Sequence, residues 1–163
     1  FLDYARPGDM ALHPVSLNEA VDSCTAALRR HSDLQLRVAM EKNLLVLADP
    51  VELQRIITNL LENANRYGKS VDTGVALIDV SARQHNRHVM LRIRDHGLGV
   101  PPEQLPQLTN PFFRGESART EASSTGLGLA IVEKTLARMG GRLELSNADS
   151  GGLCATVLFQ RPA

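Results

Sequence analysis

The sequence predicts an α+β fold, a two-layer α/β sandwich in which a mixed β-sheet is covered on one face by three helices. Three segments carry apolar residues at helical spacing, and several shorter segments alternate apolar with polar residues as strands do. Helices and strands are mixed early in the chain, whereas the later strands follow one another in hairpin fashion. This order is typical of a mixed sheet with helices packed against it.

Length and composition limit what the chain can be. Its 163 residues suit one domain with a real core, and 43% hydrophobic residues exclude wholesale disorder. Eighteen basic residues balance eighteen acidic ones, which gives no support for nucleic-acid binding. The apolar stretches are too short to span a bilayer, so we expect no direct membrane contact by this segment. Cys24 and Cys154 lie far apart without a CxxC spacing, which favours buried thiols in a reducing compartment.

The first third of the chain is predicted to contain one helix and three short strands. Val15–Leu17 is a strand candidate, and Ser16 and Asn18 can cap the helix that follows it. Segment 34–38 alternates apolar and polar residues, and the region of 45–47 is also strand-like, so we expect two strands that pair with each other.

The second helix has the clearest boundaries. Asp49 is placed to be its N-cap and Pro50 its first residue, and it runs to Tyr67 before Gly68 ends it. Its apolar residues recur at helical spacing and must face the sheet: Leu53, Ile56, Ile57, Leu60, Leu61 and Ala64.

The remaining elements continue to the end of the chain. They are strands near 75–82 and 88–95, a short helix from Pro101, a loop at 109–125, a helix at 126–138 ended by Gly140 and Gly141, and strands at 143–145 and 154–159. The loop is rich in Ser, Thr, Arg and Gly. Loops of this length inside a domain are usually functional or disordered, so we expect a mobile functional segment.

The most informative motif follows the strand that ends near residue 95. Asp95 is followed by His96, Gly97, Leu98 and Gly99, and two glycines one residue apart let the backbone lie flat against a ligand. An ionised aspartate accepts hydrogen bonds. Adenine offers an amino group where guanine offers a carbonyl oxygen, so the motif favours adenine.

A polar stripe on the second helix lies beside its apolar face. Asn59, Asn63 and Arg66 fall within an arc of roughly 60°. Asn is a modest helix former, so two in mid-helix cost stability that a function can justify. An amide oxygen suits Mg²⁺, and Arg66 can reach phosphate while Tyr67 stacks on a purine. The alternative is a solvated helix face with ordinary surface and core residues.

A second glycine pair opens the third helix, whose free N–H groups and dipole favour anions. The motif consists of Thr125, Gly126, Leu127, Gly128 and Leu129. The preceding loop carries Arg114 and Arg119, which can close over a triphosphate. Phe112 can anchor the base of the loop, and simple core packing is compatible with the same role.

Together these motifs, in this order and spacing, resemble the catalytic ATP-binding domain of a bacterial sensor histidine kinase, in the GHKL superfamily with its Bergerat-type fold. Residues 59–67 resemble the N box, 95–99 the G1 box, 111–114 the F box and 125–129 the G2 box, and 151–153 resemble a degenerate last glycine box. Segment 113–120 looks most like osmosensor kinases of the EnvZ type.

The resemblance implies a role for each motif. Asn63 would be a ligand of Mg²⁺ with Asn59 nearby as the second catalytic residue, and Asp95 would bind the adenine amino group. Arg66 and Tyr67 would line the phosphate and base sides of the ATP site. The resemblance also implies boundaries: residues 1–10 as the tail of an upstream helical hairpin with a linker, 11–163 as the ATP-binding domain, and 113–125 as its ATP lid.

The resemblance also implies partners. The γ-phosphoryl group would pass to a histidine on a separate dimerisation hairpin of the same full-length protein and then to a response regulator. None of the five histidines lies in an acceptor motif, so we expect this chain to be a fragment that lacks its own phosphoacceptor. The resemblance implies a cytoplasmic domain of an inner-membrane sensor protein. The alternatives are a nucleotide-sensing or scaffold domain without phosphotransfer, and an ATPase of the gyrase type. Gyrase-type enzymes carry a glutamate base where this chain has Asn59.

Overall fold

The computed structural model describes residues 10–70, 72–110 and 128–163. The strands are β1 (His13–Ser16), β2 (Leu34–Met40), β3 (Leu45–Ala48), β4 (Ala76–His85), β5 (His88–Asp95), β6 (Arg142–Asn147) and β7 (Leu153–Gln160). The helices are α1 (Leu17–His31), α2 (Pro50–Tyr67) and α3 (Gly128–Arg138), with a 3₁₀ helix at Pro102–Gln107. Within these ranges no helix combines the length and apolarity needed to cross a bilayer.

Five strands form one mixed sheet in the order β2-β4-β5-β7-β6, and β1 and β3 form a separate two-stranded sheet. The β2–β4 pair is parallel and the other pairs of the large sheet are antiparallel. The three helices pack on one face, with α2 in contact with α1, α3, β4 and β5. The predicted α+β sandwich is confirmed.

The helix starts follow the predicted capping chemistry. Ser16 Oγ accepts the Glu19 N–H at 3.1 Å, and Asp49 Oδ1 accepts the N–H groups of Val51 and Glu52 at 3.0 and 3.2 Å. These bonds satisfy backbone donors that the first turn of a helix leaves free. Both N-caps therefore confirm the sequence prediction, while Asn18 makes other contacts.

The predicted pairing of segments 34–38 and 45–47 is wrong. β2 pairs with β4, and β3 pairs with β1, where Val46 lies opposite Val15. Asn18 explains the separation, because its Oδ1 accepts the Leu44 N–H at 2.8 Å and its Nδ2 donates to the Glu41 carbonyl at 2.9 Å. These bonds draw the β2–β3 connection to the start of α1, so β3 leaves the edge of the large sheet.

The core lies between the sheet and the helices. All six predicted apolar residues of α2 are buried, from Leu53 to Ala64. They face buried side chains from three strands of the sheet: Ile78, Val80, Leu91, Ile93, Val157 and Phe159. The predicted thiols Cys24 and Cys154 are both free and buried.

The sheet face opposite the helices carries polar side chains, and we call it the open face. Here Arg37 Nε and Nη2 donate to the two carboxylate oxygens of Asp79 at 2.6 and 2.9 Å, and His96 Nε2 lies 2.7 Å from Asp79 Oδ2. The hydrogen bonds from Arg37, with a smaller contribution from His96, lower the pKa of Asp79 from 3.8 to about 2. This cluster ties β2 and β4 to the residue that follows β5.

Replacing Asp79 by Asn should lower the free energy of unfolding at pH 7 by up to about 1 kcal/mol, the upper range for exposed ion pairs. Because the pKa of Asp79 is lower in the folded protein than in the unfolded chain, its carboxylate stabilises the fold at pH values above 3.8. This stabilisation is lost as the pH falls from 3.8 towards about 2. Urea denaturation over a pH series measures this difference.

The matched control is Glu144→Gln, which removes a carboxylate from an ion pair with Arg142. Both side chains of this pair are exposed. The free energy of unfolding of the Asp79→Asn variant should depend less on pH below 3.8 than that of the unmodified protein. If both fell equally with pH, the Asp79 cluster would not carry this stabilisation.

Candidate functional site

A pocket opens on the helix-covered side of the sheet, between α2, the start of α3 and the strands β5, β6 and β7. The empty space within and in front of this pocket, open solvent included, is about 250 Å³. Two polar side chains line it, Asn63 from α2 and Asp95 from the end of β5. The apolar lining consists of Leu60, Ala64, Ile93, Leu129, Leu145, Leu153 and Ala155. An apolar pocket with few polar groups is typical of a ligand site.

Asp95 is the buried charged group of this pocket, with only 4% of its surface exposed. Its Oδ1 accepts the Gly97 N–H at 3.0 Å and the Leu153 N–H at 3.1 Å. Burial raises the pKa of Asp95, while these two bonds and the nearby His96 and Arg94 partly offset the increase. Because both N–H groups use Oδ1, Oδ2 is the oxygen that a ligand donor can take.

Three glycines bring separate segments against Asp95. A Cβ on Gly68, just after α2, would overlap the Asp95 side chain, and one on Gly152 would overlap its backbone carbonyl. Gly97 in turn packs on Gly68, where an added Cβ would lie 2.7 Å from the Gly68 Cα. The carboxylate is therefore enclosed by backbone, and a side chain at Gly68 or Gly152 would displace it.

The loop after β5 is held by Asn147, the last residue of β6. Asn147 Oδ1 accepts the Val100 N–H at 3.0 Å, and Asn147 Nδ2 donates to the Val100 carbonyl at 2.7 Å. Gly99 has a φ of +74°, and an added Cβ there would lie 2.6 Å from Asn147 Oδ1. The second glycine of the predicted motif is thus required by the fold of this loop.

The polar stripe of α2 reaches the pocket through Asn63. Asn59 lies one turn earlier and is half-buried, and neither amide has a hydrogen-bond partner among the described residues. Arg66 is exposed, with its Cζ 5.9 Å from the centroid of the Tyr67 ring. The Tyr67 hydroxyl is buried without a partner in the described ranges. The contacts of Arg66 and Tyr67 with a nucleotide stay predictions.

The second glycine motif is described only in part. Gly128 begins α3, where an added Cβ would meet no atom of the described residues within 4 Å, and Leu129 lines the pocket. The first turn of α3 thus lies beside Asn63 and Asp95. The other predicted lid residues, Phe112, Arg114, Arg119, Thr125, Gly126 and Leu127, lie outside the described residues.

The part of the chain that the structure describes holds no group of three or more His, Cys, Asp or Glu side chains placed to bind a metal ion. A cation here would therefore be held by few protein ligands. Mg²⁺ is suited to such a site, because it keeps several waters and substrate phosphates in its coordination shell. The unpartnered Asn63 amide oxygen fits that donor set.

Sequence reasoning missed four residues that shape the site. Gly68 was predicted only as a helix end, and Gly152 only as part of a degenerate glycine box. Asn147 and Arg94 gave no local signal, since each is one polar residue of an alternating strand. Their roles depend on contacts with distant segments.

Comparison with known proteins identifies the family of the chain. Residues 48–163 match the family described as histidine kinase-, DNA gyrase B- and HSP90-like ATPases. The sensor histidine kinase RcsC of Escherichia coli K12 is 36% identical over 110 residues, which are 67% of this chain and 11% of RcsC. The kinase/phosphatase MprB of Mycolicibacterium vanbaalenii is 34% identical over 149 residues, 89% of this chain and 29% of MprB. The chain thus spans less than a third of either relative.

Solved structures show the same fold. The mycobacterial sensor histidine kinase MprB superposes with a TM-score of 0.81 at 29% identity, covering 93% of this chain and 100% of that one. The histidine kinase domain of the E. coli osmosensor EnvZ gives a TM-score of 0.70 at 31% identity, covering 97% and 94%. The chain therefore belongs to the histidine kinase-, DNA gyrase B- and HSP90-like ATPase family, as an ATP-binding domain of the sensor histidine kinase type.

Proposed function

We propose that this domain binds ATP with Mg²⁺ and donates the γ-phosphoryl group to a histidine on a separate dimerisation hairpin. The observation that carries the proposal is the placement of Asp95 and Asn63 in one pocket, with Asp95 Oδ2 and the Asn63 amide free of protein partners among the described residues. The Asp95 carboxylate suits the base of the nucleotide, and the Asn63 amide suits the metal ion bound to its phosphates.

Asp95 is proposed to read the adenine base. Its Oδ1 is committed to two backbone N–H groups, which leaves Oδ2 to accept the exocyclic amino group. The apolar side chains of the pocket pack against the ring, and the buried carboxylate carries a desolvation cost that a donor on the base offsets. Guanine presents a carbonyl oxygen there and would repel the carboxylate.

Asn63 is proposed as the protein ligand of Mg²⁺, with Asn59 one turn earlier on the same face. The metal ion, when bound, would neutralise charge on the β- and γ-phosphates, on which phosphoryl transfer depends. The lid segment 113–125, with Arg114 and Arg119, is proposed to close over the phosphates together with Arg66. Asn59 has no proton-accepting carboxylate, so activation of water for hydrolysis should be poor.

The partners are proposed from the relatives, which are named as sensor histidine kinases. The phosphoryl acceptor would be a helical hairpin of the full-length protein, and a response regulator would be the next recipient. Residues 1–10 would be the tail of that hairpin and a linker, and this domain would lie on the cytoplasmic side of an inner-membrane sensor. The EnvZ-type resemblance of segment 113–120 stays a proposal, since domains of MprB and EnvZ both superpose on this chain.

Asp95→Asn should weaken ATP binding about 10- to 100-fold, which corresponds to the roughly 1.5–3 kcal/mol of a hydrogen bond to a charged group. The asparagine oxygen can still accept the N–H groups of Gly97 and Leu153, so the fold should persist. Since burial raises the pKa of Asp95, removal of its charge should not lower the Tm at pH 7. Calorimetry with a non-hydrolysable ATP analogue measures the affinity.

Glu144→Gln is the control for this experiment, because it removes a carboxylate from an ion pair with Arg142 in which both side chains are exposed. An Asp95→Asn affinity equal to that of the unmodified domain would contradict base reading by Asp95.

Asn63→Ala should lower phosphoryl transfer to the hairpin of the full-length protein, supplied as a separate polypeptide, by at least about tenfold. Even outer-shell partners of a metal ion are worth about 10- to 100-fold. The readout is radiolabelled phosphohistidine formed from Mg²⁺-ATP.

Asn65→Ala is the matched control, since this amide lies two residues away on the same helix and bonds Ser32 Oγ at 3.2 Å. ATP binding without any labelled histidine would refute the kinase proposal in favour of a nucleotide-sensing domain. Equal transfer by the Asn63 and Asn65 variants would refute the metal role of Asn63.

A further inference from the structure

We infer that Arg94 is a positioning residue for base recognition, which acts from the open face of the sheet by anchoring the turn between β6 and β7 (residues 148–152) beside Asp95. The inference rests on the proposed function, because it assumes that Asp95 reads the base. It assigns a role in ATP selectivity to a side chain that points away from the pocket.

The anchoring contacts are direct. Arg94 Nη2 donates to Ser150 Oγ at 2.6 Å and to the Gly151 carbonyl at 3.0 Å, so one guanidinium nitrogen holds two successive residues of the turn. The side chain is partly buried, and its Nε is fully buried without a partner in the described part of the chain. Such burial restricts the side chain, which suits a role in fixing geometry.

The charge of Arg94 is not used in an ion pair within the described ranges. Asp79 is its direct neighbour across the β4–β5 ladder, yet that carboxylate is occupied by Arg37 and His96. Arg94 therefore turns to the neutral oxygens of Ser150 and Gly151. Because Arg37 and His96 bond Asp79, the Arg94 guanidinium is available to bond the turn.

The turn needs an external anchor because two of its residues are glycines with positive φ, Gly151 at +106° and Gly152 at +93°. Glycine loses more conformational freedom on ordering than any other residue. The turn also has its own backbone bonds, from Ala148 N–H to the Gly152 carbonyl at 2.9 Å and from Gly151 N–H to the Ala148 carbonyl at 3.1 Å. The two bonds from Arg94 fix this small loop relative to β5.

The position of the turn determines the orientation of the base-reading carboxylate. Gly152 lies against the Asp95 backbone, and the next residue, Leu153, donates its N–H to Asp95 Oδ1 at 3.1 Å. A turn that moves by a fraction of an ångström would lengthen this bond and leave Oδ1 held by the Gly97 N–H alone. The Asp95 side chain could then rotate, and Oδ2 would lose its fixed direction into the pocket.

The test compares the affinities for ATP and for purine riboside triphosphate, which lacks the 6-amino group. The unmodified domain should prefer ATP by at least about tenfold, the discrimination expected of one hydrogen bond to a charged group. Arg94→Met keeps the length of the side chain and removes its donors, so it should reduce this preference about fivefold or more. A merely structural loss would weaken both ligands equally and leave their ratio unchanged.

The matched control is Arg92→Met, since Arg92 lies two residues earlier on the same face and its side chain has one hydrogen bond among the described residues, to the Met90 sulfur at 3.9 Å. It should keep the ATP preference of the unmodified domain. Ser150→Ala removes the shorter anchoring bond and should lower the preference in the same direction, which keeps the test valid if Arg94→Met folds poorly. Arg94→Lys should restore part of the preference.

The inference is overturned if Arg94→Met and Ser150→Ala keep the full ATP preference while Asp95→Asn loses it. In that case the proposed function stands and only the role of Arg94 fails. If the unmodified domain binds both triphosphates equally and Asp95→Asn changes neither affinity, base reading by Asp95 fails, and the role of Arg94 fails with it.

Discussion

The interaction on which the rest of the site depends is the pair of backbone N–H groups that hold one oxygen of the buried Asp95 carboxylate. One donor comes from the loop after β5 and the other from the start of β7, so the bond pair joins two elements far apart in sequence. The glycines at positions 68, 97 and 152 are consequences of this arrangement, because any side chain there would collide with Asp95 or with the backbone that encloses it.

Enclosing a carboxylate in this way costs free energy, because burial disfavours the charged form, and the same burial raises the pKa of Asp95. The same burial makes Asp95 selective, since an acceptor shielded from water gains more from a matching donor than an exposed one does. The domain reduces the cost with backbone hydrogen bonds and with the neighbouring Arg94 and His96, while Oδ2 remains available. Stability and ligand selectivity therefore compete at one residue.

Much of this was predictable from the sequence, because some features are encoded locally. The caps at Ser16 and Asp49, the apolar stripe of α2 and the motif from Asp95 to Gly99 all follow from residue type and spacing. Strand pairing was not predictable, since an alternating pattern predicts a strand but not its partner, and the Asn18 bonds beside β3 join residues that are distant in the sequence. The roles of Asn147 and Arg94 were not predictable either, because their hydrogen-bond partners are distant in the sequence.

The most direct test of the account is a crystal structure of the domain with Mg²⁺ and a non-hydrolysable ATP analogue. The account predicts that Asp95 Oδ2 lies within hydrogen-bond distance of the adenine amino group, that Oδ1 keeps its bonds to Gly97 and Leu153, and that Mg²⁺ contacts the Asn63 amide oxygen. An adenine ring bound elsewhere, with Asp95 Oδ2 in contact with protein or water alone, would contradict the claim that this carboxylate is the base-reading group.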